Sequence, residues 1–126
     1  MEPYPAFTAG TVRGYGNGKM IGIPTINLSM GNVPKDLPEG VYACRASIGQ
    51  NEPAPATMHL GPRPVFGQES SCEIHFLDAK DIPFPETVTV YPIQWLRDIR
   101  NFSSKEDLVR QILADNDEAR GILAIS

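Results

Sequence analysis

Two cysteines, two histidines and one tryptophan in 126 residues leave little from which to build a metal centre or a disulfide framework. Cys44 and Cys72 lack the short spacings of zinc sites and sit in apolar, strand-like stretches. They read as buried free thiols of a reducing compartment, with a disulfide as the less favoured alternative. His59 and His75 fall in different segments, with no carboxylate cluster at metal-ligand spacing, so zinc is disfavoured. His75 is read instead as a surface histidine or as the support of a neighbouring group. No basic run exists: the 11 Lys and Arg are scattered and the net charge is -4. That balance argues against a nucleic-acid partner, which usually requires a basic stripe. No stretch approaches about 18 apolar residues, so no membrane span is expected. The start, Met1-Glu2-Pro3-Tyr4-Pro5, lacks the basic and apolar regions of a signal peptide, and the expected compartment is the cytoplasm. Without repeats, linkers or low-complexity tracts, residues 1–126 are read as one domain. That length excludes a (β/α)8 barrel of about 250 residues and is tight for a two-lobed protein kinase.

What the chain does have is 12 Pro and 11 Gly. Each interrupts helices or central strands, so many short segments joined by turns are expected. Strands are read at Ala9–Arg13, Pro24–Leu28, Val41–Ile48, Ala56–Leu60, Ser71–Leu77 and Thr87–Trp95, the last bent at Pro92. In the fifth, Cys72, Ile74 and Phe76 face one way, while Glu73, His75 and Leu77 face the other. From Ser103 the pattern turns helical. Ser103 with Glu106, or Ser104 with Asp107, forms an N-terminal capping signature. Leu108, Ile112, Ala119, Ile122 and Leu123 then recur at helical spacing, and Asn116 or Gly121 is a candidate break. The count fits an all-β fold: strands closing into a small barrel with a helix laid across it.

The chemistry gathers in two places. Gly14-Tyr15-Gly16-Asn17-Gly18-Lys19 is a glycine-rich loop, whose backbone amides can cradle phosphate oxygens or simply turn a hairpin. It is not a Walker loop, and Pro24 blocks the helix a Rossmann fingerprint needs. In the run that follows, Thr25 and Asn27 project from one face. Their hydroxyl and amide oxygens are hard ligands for Mg²⁺ and phosphates, or a pair that caps a turn. Glu73 is the second candidate. Alternation puts it opposite the buried Ile74 and Phe76, on an accessible face, either as a solvated charge or as a base that accepts a hydroxyl proton.

Gly10, Val12, Gly14, Gly16, Gly18 and Lys19, followed by Gly22-Ile23-Pro24-Thr25-Ile26-Asn27-Leu28, resemble the riboflavin kinase signature that ends in Pro-Thr-Ala-Asn. Gly40-Val41-Tyr42-Ala43, Gly61-Pro62-Arg63-Pro64-Val65-Phe66, Cys72–Asp78, Leu96-Arg97, Phe102, Leu108 and Asp115 follow in the family's order, over about residues 10–123. The resemblance implies a six-stranded antiparallel Greek-key β-barrel with a C-terminal α-helix. It implies transfer of the γ-phosphoryl of ATP to the 5′-hydroxyl of riboflavin, giving FMN and ADP. Gly16, Gly18, Lys19, Gly22, Pro24, Thr25 and Asn27 would bind the nucleotide. Thr25 and Asn27 would hold Mg²⁺, and Glu73 would be the general base. Arg97, Leu108 and Ile112 would border the flavin, although Arg97 reads equally well as a salt bridge and the two aliphatic side chains as core-facing.

Departures from the pattern include Ile26 for alanine, with its side chain expected to face away from Thr25 and Asn27. Val65 stands for threonine, Pro83-Phe84-Pro85 for a Tyr-Gly turn, and Asp98–Asn101 for a Pro-Glu-Lys-type loop. The altered loops motivate the alternative, a non-catalytic flavin or nucleotide binder of the same fold. The expected protein is a monomer that makes FMN without making FAD. No His-x-Gly-His-type motif occurs, the length leaves no room for an adenylyltransferase domain, and Met1 favours a stand-alone kinase.

Overall fold

The computed structural model describes residues 4–12, 25–62, 70–77 and 85–124. Its strands are β1 (Phe7–Val12), β2 (Thr25–Leu28), β3 (Gly40–Ile48), β4 (Ala54–Pro62), β5 (Ser70–Phe76) and β6 (Thr87–Arg97). A helix, α1 (Lys105–Ala124), follows them. The strands close in the order β1-β2-β5-β4-β3-β6, every neighbouring pair antiparallel. β3, β4 and β5 run as a meander and β6 returns to lie beside β3, which is a Greek key. Closure removes the free sheet edges that would otherwise invite pairing with another chain.

Alternation fills the barrel. Tyr42, Cys44 and Ala46 of β3, Ala56, Met58 and Leu60 of β4, and Cys72, Ile74 and Phe76 of β5 all point inward and are buried. Ile26 joins them opposite Ile74, facing away from its neighbours Thr25 and Asn27 as expected. Burying an aliphatic side chain of this size contributes roughly 1.5–3 kcal/mol. Cys44 and Cys72 are free and buried in this interior. Burial pushes both thiols up, that of Cys72 to about 12, so they stay protonated and unreactive.

β6 is the irregular strand. Its pairing with β3 skips Leu96 between the Val41–Arg97 and Tyr42–Trp95 pairs, and skips Ile93 between Ala43–Gln94 and Cys44–Pro92. The expected bend at Pro92 is therefore a bulge beside it. The skipped residues have a use: Ile93 and Leu96 pack with Ala43, Leu77, Ala119 and Leu123, the apolar contact between the outside of the barrel and α1.

α1 begins where the capping signature placed it. The Asp107 amide donates to Ser104 Oγ at 3.1 Å, and Ser103 Oγ donates to the Asp107 carboxylate at 3.0 Å. Glu106 and Asp107 in the first turn suit the positive end of the helix dipole. The helix passes through both candidate breaks. Asn116 is held by tertiary structure, because Thr57 Oγ1 of β4 donates to its Oδ1 at 3.1 Å. That bond satisfies the carbonyl oxygen alone, since Asn116 Nδ2 is buried without a partner among the described residues.

Gly40 opens β3 with φ +152°, a region that disfavours other residues. A Cβ there would lie 2.2 Å from Trp95 Nε1 and 2.7 Å from the Arg97 carbonyl oxygen. Gly40→Ala is expected to lower the melting temperature by roughly 5–15 °C, read by thermal denaturation. An unchanged melting temperature would mean that β6 yields at no cost.

A candidate active site on the outer face of the barrel

Three neighbouring strands build the site. In the β2–β5–β4 register, Asn27 pairs with Glu73, and Glu73 with His59. One pair along the same face, Thr25 opposes His75, and His75 opposes Thr57. Directly opposed side chains have Cβ atoms about 4.5–5.5 Å apart. Two rows of polar residues therefore lie side by side on the outside of the barrel, and each chain position was chosen by the same alternation that sends Ile26, Ile74 and Met58 inward.

This face is not open surface. Sequence alternation placed Glu73 on an accessible face, whereas it is 1% exposed. Asn27 and His75 are buried with it. "Outside the barrel" and "exposed" are different conditions here, since α1 packs on the outer wall at β3 and β4. His75 Nε2 lies 3.4 Å from Glu73 Oε1. Asn27 Oδ1 is buried and has no hydrogen-bond partner among the described residues. A buried carbonyl oxygen left in that condition costs about 1–3 kcal/mol, which makes it a strong candidate for a ligand contact.

The sequence pattern does not bring His59 to this site, since it falls in a different segment from His75. The signal was the constant register of the β4–β5 hairpin: once Leu60 is set opposite Cys72, His59 must oppose Glu73. Thr57, Asn116 and Asp115 were also missed as neighbours, because a helix docked on a barrel has no local sequence signature.

α1 packs across β3 and β4. Leu108 and Ile112 face inward, as the core reading held, and line a crevice with His59, His75, Arg97 and Asn116. Its interior has room for about one water. Of the two roles left open for Arg97, the salt bridge is present. Its Nε and Nη2 donate to the two Asp115 oxygens at 2.9 and 2.8 Å, and Nη1 donates to the Asp98 carbonyl at 2.9 Å. Gln111 Nε2 donates to Asp115 Oδ1 at 2.9 Å, which locks that carboxylate further. The expected nucleotide-binding residues Gly16, Gly18, Lys19, Gly22 and Pro24 lie outside the described residues. Thr25 and Asn27, which immediately follow them, are described.

A buried carboxylate beside hydroxyl and amide oxygens, at the end of a glycine-rich segment, has the parts of a phosphotransferase, for which positioning and charge matter more than covalent chemistry. The riboflavin kinase (flavokinase) family pattern matches residues 2–123. The chain is 33% identical over 127 residues to the riboflavin kinase of Homo sapiens, across 95% of this chain and 82% of that protein. It is 28% identical to the bifunctional riboflavin kinase/FMN adenylyltransferase of Bacillus subtilis, across 91% of this chain and 38% of that longer protein. Among solved structures, a chain described as a macrolide-efflux protein from Streptococcus pneumoniae superposes with a TM-score of 0.76 at 31% identity. The superposition covers 91% of this chain and 38% of that chain. The chain belongs to the riboflavin kinase family, and its activity is that of a riboflavin kinase. No helix among the described residues is long and apolar enough to cross a membrane.

The site makes a pH-dependent contribution to stability. Burial lowers the His59 pKa from 6.5 to about 4, with Glu73 and Asp115 pulling it up and His75 and Arg97 pushing it down. Below pH 6.5 the unfolded chain therefore takes up a proton that the folded chain refuses. Stability falls as pH drops from about 6.5 towards 4, by up to about 3 kcal/mol from this residue. His59→Gln should show a shallower loss of melting temperature across that window than the parent protein. Identical slopes would mean that His59 is not held neutral.

Proposed function

We propose that the chain transfers the γ-phosphoryl of ATP to the 5′-hydroxyl of riboflavin on the Thr25–Asn27–Glu73 face. The observation that carries this reading is the Asn27–Glu73 pair across β2 and β5, with Thr25 one pair away. It sets a proton acceptor beside two oxygens suited to a hard cation. Glu73 takes the 5′-hydroxyl proton as that oxygen bonds to the γ-phosphorus and the bond from this phosphorus to the β,γ-bridging oxygen breaks, releasing ADP. Alignment of that hydroxyl with the phosphoryl group supplies most of the rate, and base catalysis adds about 10²–10⁴-fold.

Mg²⁺ fits the donor set. Asn27 Oδ1 has no protein partner among the described residues, and Thr25 offers a hydroxyl on the same face. Among the described residues no cluster of three His, Cys, Asp or Glu could hold a metal by itself. Most of the cation's oxygen ligands would then be phosphates and water, as is usual for Mg²⁺ with nucleotides. When bound, Mg²⁺ offsets negative charge on the transferring phosphoryl oxygens. Gly16, Gly18 and Gly22 would present backbone amides to the phosphates, with Lys19 adding charge and Pro24 setting the entry to β2.

For the flavin, we assign Leu108 and Ile112 an indirect role: both are buried in a crevice whose interior holds about one water, so they would shape the wall behind the flavin. Arg97 would act by holding α1 through Asp115. The chain is taken to work as a cytoplasmic monomer on riboflavin and ATP.

Incubation with riboflavin and MgATP should yield FMN and ADP, separated by chromatography. Bound flavin without FMN would return the chain to the non-catalytic alternative. Glu73→Gln is expected to lower kcat at least about 100-fold while nucleotide binding persists. Thr25→Ala should raise the Mg²⁺ concentration needed for half-maximal rate, and an unchanged Mg²⁺ dependence would remove Thr25 from the cation site.

A further inference from the structure

Glu73 is a long side chain, and a base is useful only if one carboxylate oxygen points at the substrate hydroxyl. His75 addresses that requirement. It lies two residues along β5, so both side chains leave the strand on the same face. Its Nε2 reaches Glu73 Oε1 at 3.4 Å, with the two side chains 5% and 1% exposed. With Glu73 ionised, as its proposed role as base requires, the carboxylate only accepts hydrogen bonds, and Nε2 is then the donor. Such a bond anchors Oε1 and with it the direction in which the carboxylate faces. The distance is long for a finished bond, which is common in catalytic pairs before substrate draws them together. His75 is flanked in register by Thr25 on β2 and Thr57 on β4 and is 4% exposed, so its ring has little free space around it.

We propose that His75 is the positioning residue of the reaction: through Nε2 it fixes the Glu73 carboxylate in the orientation that accepts the 5′-hydroxyl proton. This rests on Glu73 being the base. His75 touches neither the phosphoryl group nor the flavin in this role, so its loss acts on turnover and not on substrate affinity.

The test is a double-mutant cycle with steady-state kinetics. His75→Ala should lower kcat between about 10- and 100-fold, with KM for riboflavin and for MgATP changed less than about threefold. His75→Gln, whose amide can reach and donate to Oε1, should recover most of that loss. His75→Asn, which is too short, should not. In a Glu73→Gln background, His75→Ala should cost little more, because there is no longer a carboxylate to orient.

An unchanged kcat in His75→Ala overturns the proposal. So does a rise in KM alone, or an equal loss with and without the Glu73 carboxylate. If His75→Ala does not fold, as judged by its melting curve, the Gln and Asn variants carry the comparison, and equal rates for the two would overturn it. Full activity in Glu73→Gln alone would instead overturn the base assignment. The two failures are therefore distinguishable.

Discussion

β5 is held in place by its apolar positions, and the site follows from where they sit. Cys72 lies between Leu28 and Leu60, Ile74 between Ile26 and Met58, and Phe76 against Ala56. A slip of one residue would turn Glu73 and His75 into the barrel and Ile74 out of it. Burying that carboxylate among aliphatic side chains would cost several kcal/mol at the least. The apolar interior thus does more than stabilise the barrel. It sets the register that brings Asn27, Glu73 and His59 into one row and Thr25, His75 and Thr57 into the next.

Docking of α1 is the second constraint, and it is mixed in character. One end is apolar, with Ala119 and Leu123 against Ala43 and Leu77, helped by the two bulged residues of β6. The middle of α1 is polar and directional: Arg97 forks onto Asp115, and Thr57 reaches Asn116. Arg45 and Arg120 add cross-links, donating to the Leu123 and Leu77 carbonyls at 2.9 and 3.0 Å. Apolar contact tolerates sliding; bidentate and buried hydrogen bonds do not. These mid-helix polar contacts therefore fix where Leu108 and Ile112 meet the barrel, close to His59 and His75.

Much of this was legible in the sequence. Alternation in Ser71–Leu77 identified the inward and outward sides of β5 without error, and Ser104 with Asp107 marked the start of the helix. Burial of Glu73 was not legible, because alternation reports which side of a strand a residue takes and not what covers that side. His59 was assigned to a separate segment for a similar reason: strand partners are a property of register, which no local window contains. Asn116 looked like a helix breaker because propensity counts only local terms, and its hydrogen bond comes from Thr57, far away in sequence. At Thr25, Asn27 and Glu73 the expected roles come from the family signature, because alternation gives only the side of the strand.

A polar site on the outer wall of a barrel carries a particular energetic balance. Asn27 Oδ1 and His59 Nδ1 are buried without hydrogen-bond partners among the described residues, and each such atom weakens the folded state. A well-packed apolar wall would be more stable. The unmet oxygen of Asn27 nevertheless sits in the row of Glu73, where a cation or substrate would complete it. Electrostatic contacts made in so dry a place are stronger than the same contacts in water, and donors already fixed by the sheet need not reorganise when charge develops. The hydrophobic interior that sets the β5 register offsets the cost. In return the strands hold Glu73, His75 and the oxygens of Thr25 and Asn27 on one rigid face, the placement on which the proposed base and its proposed orientation by His75 rest.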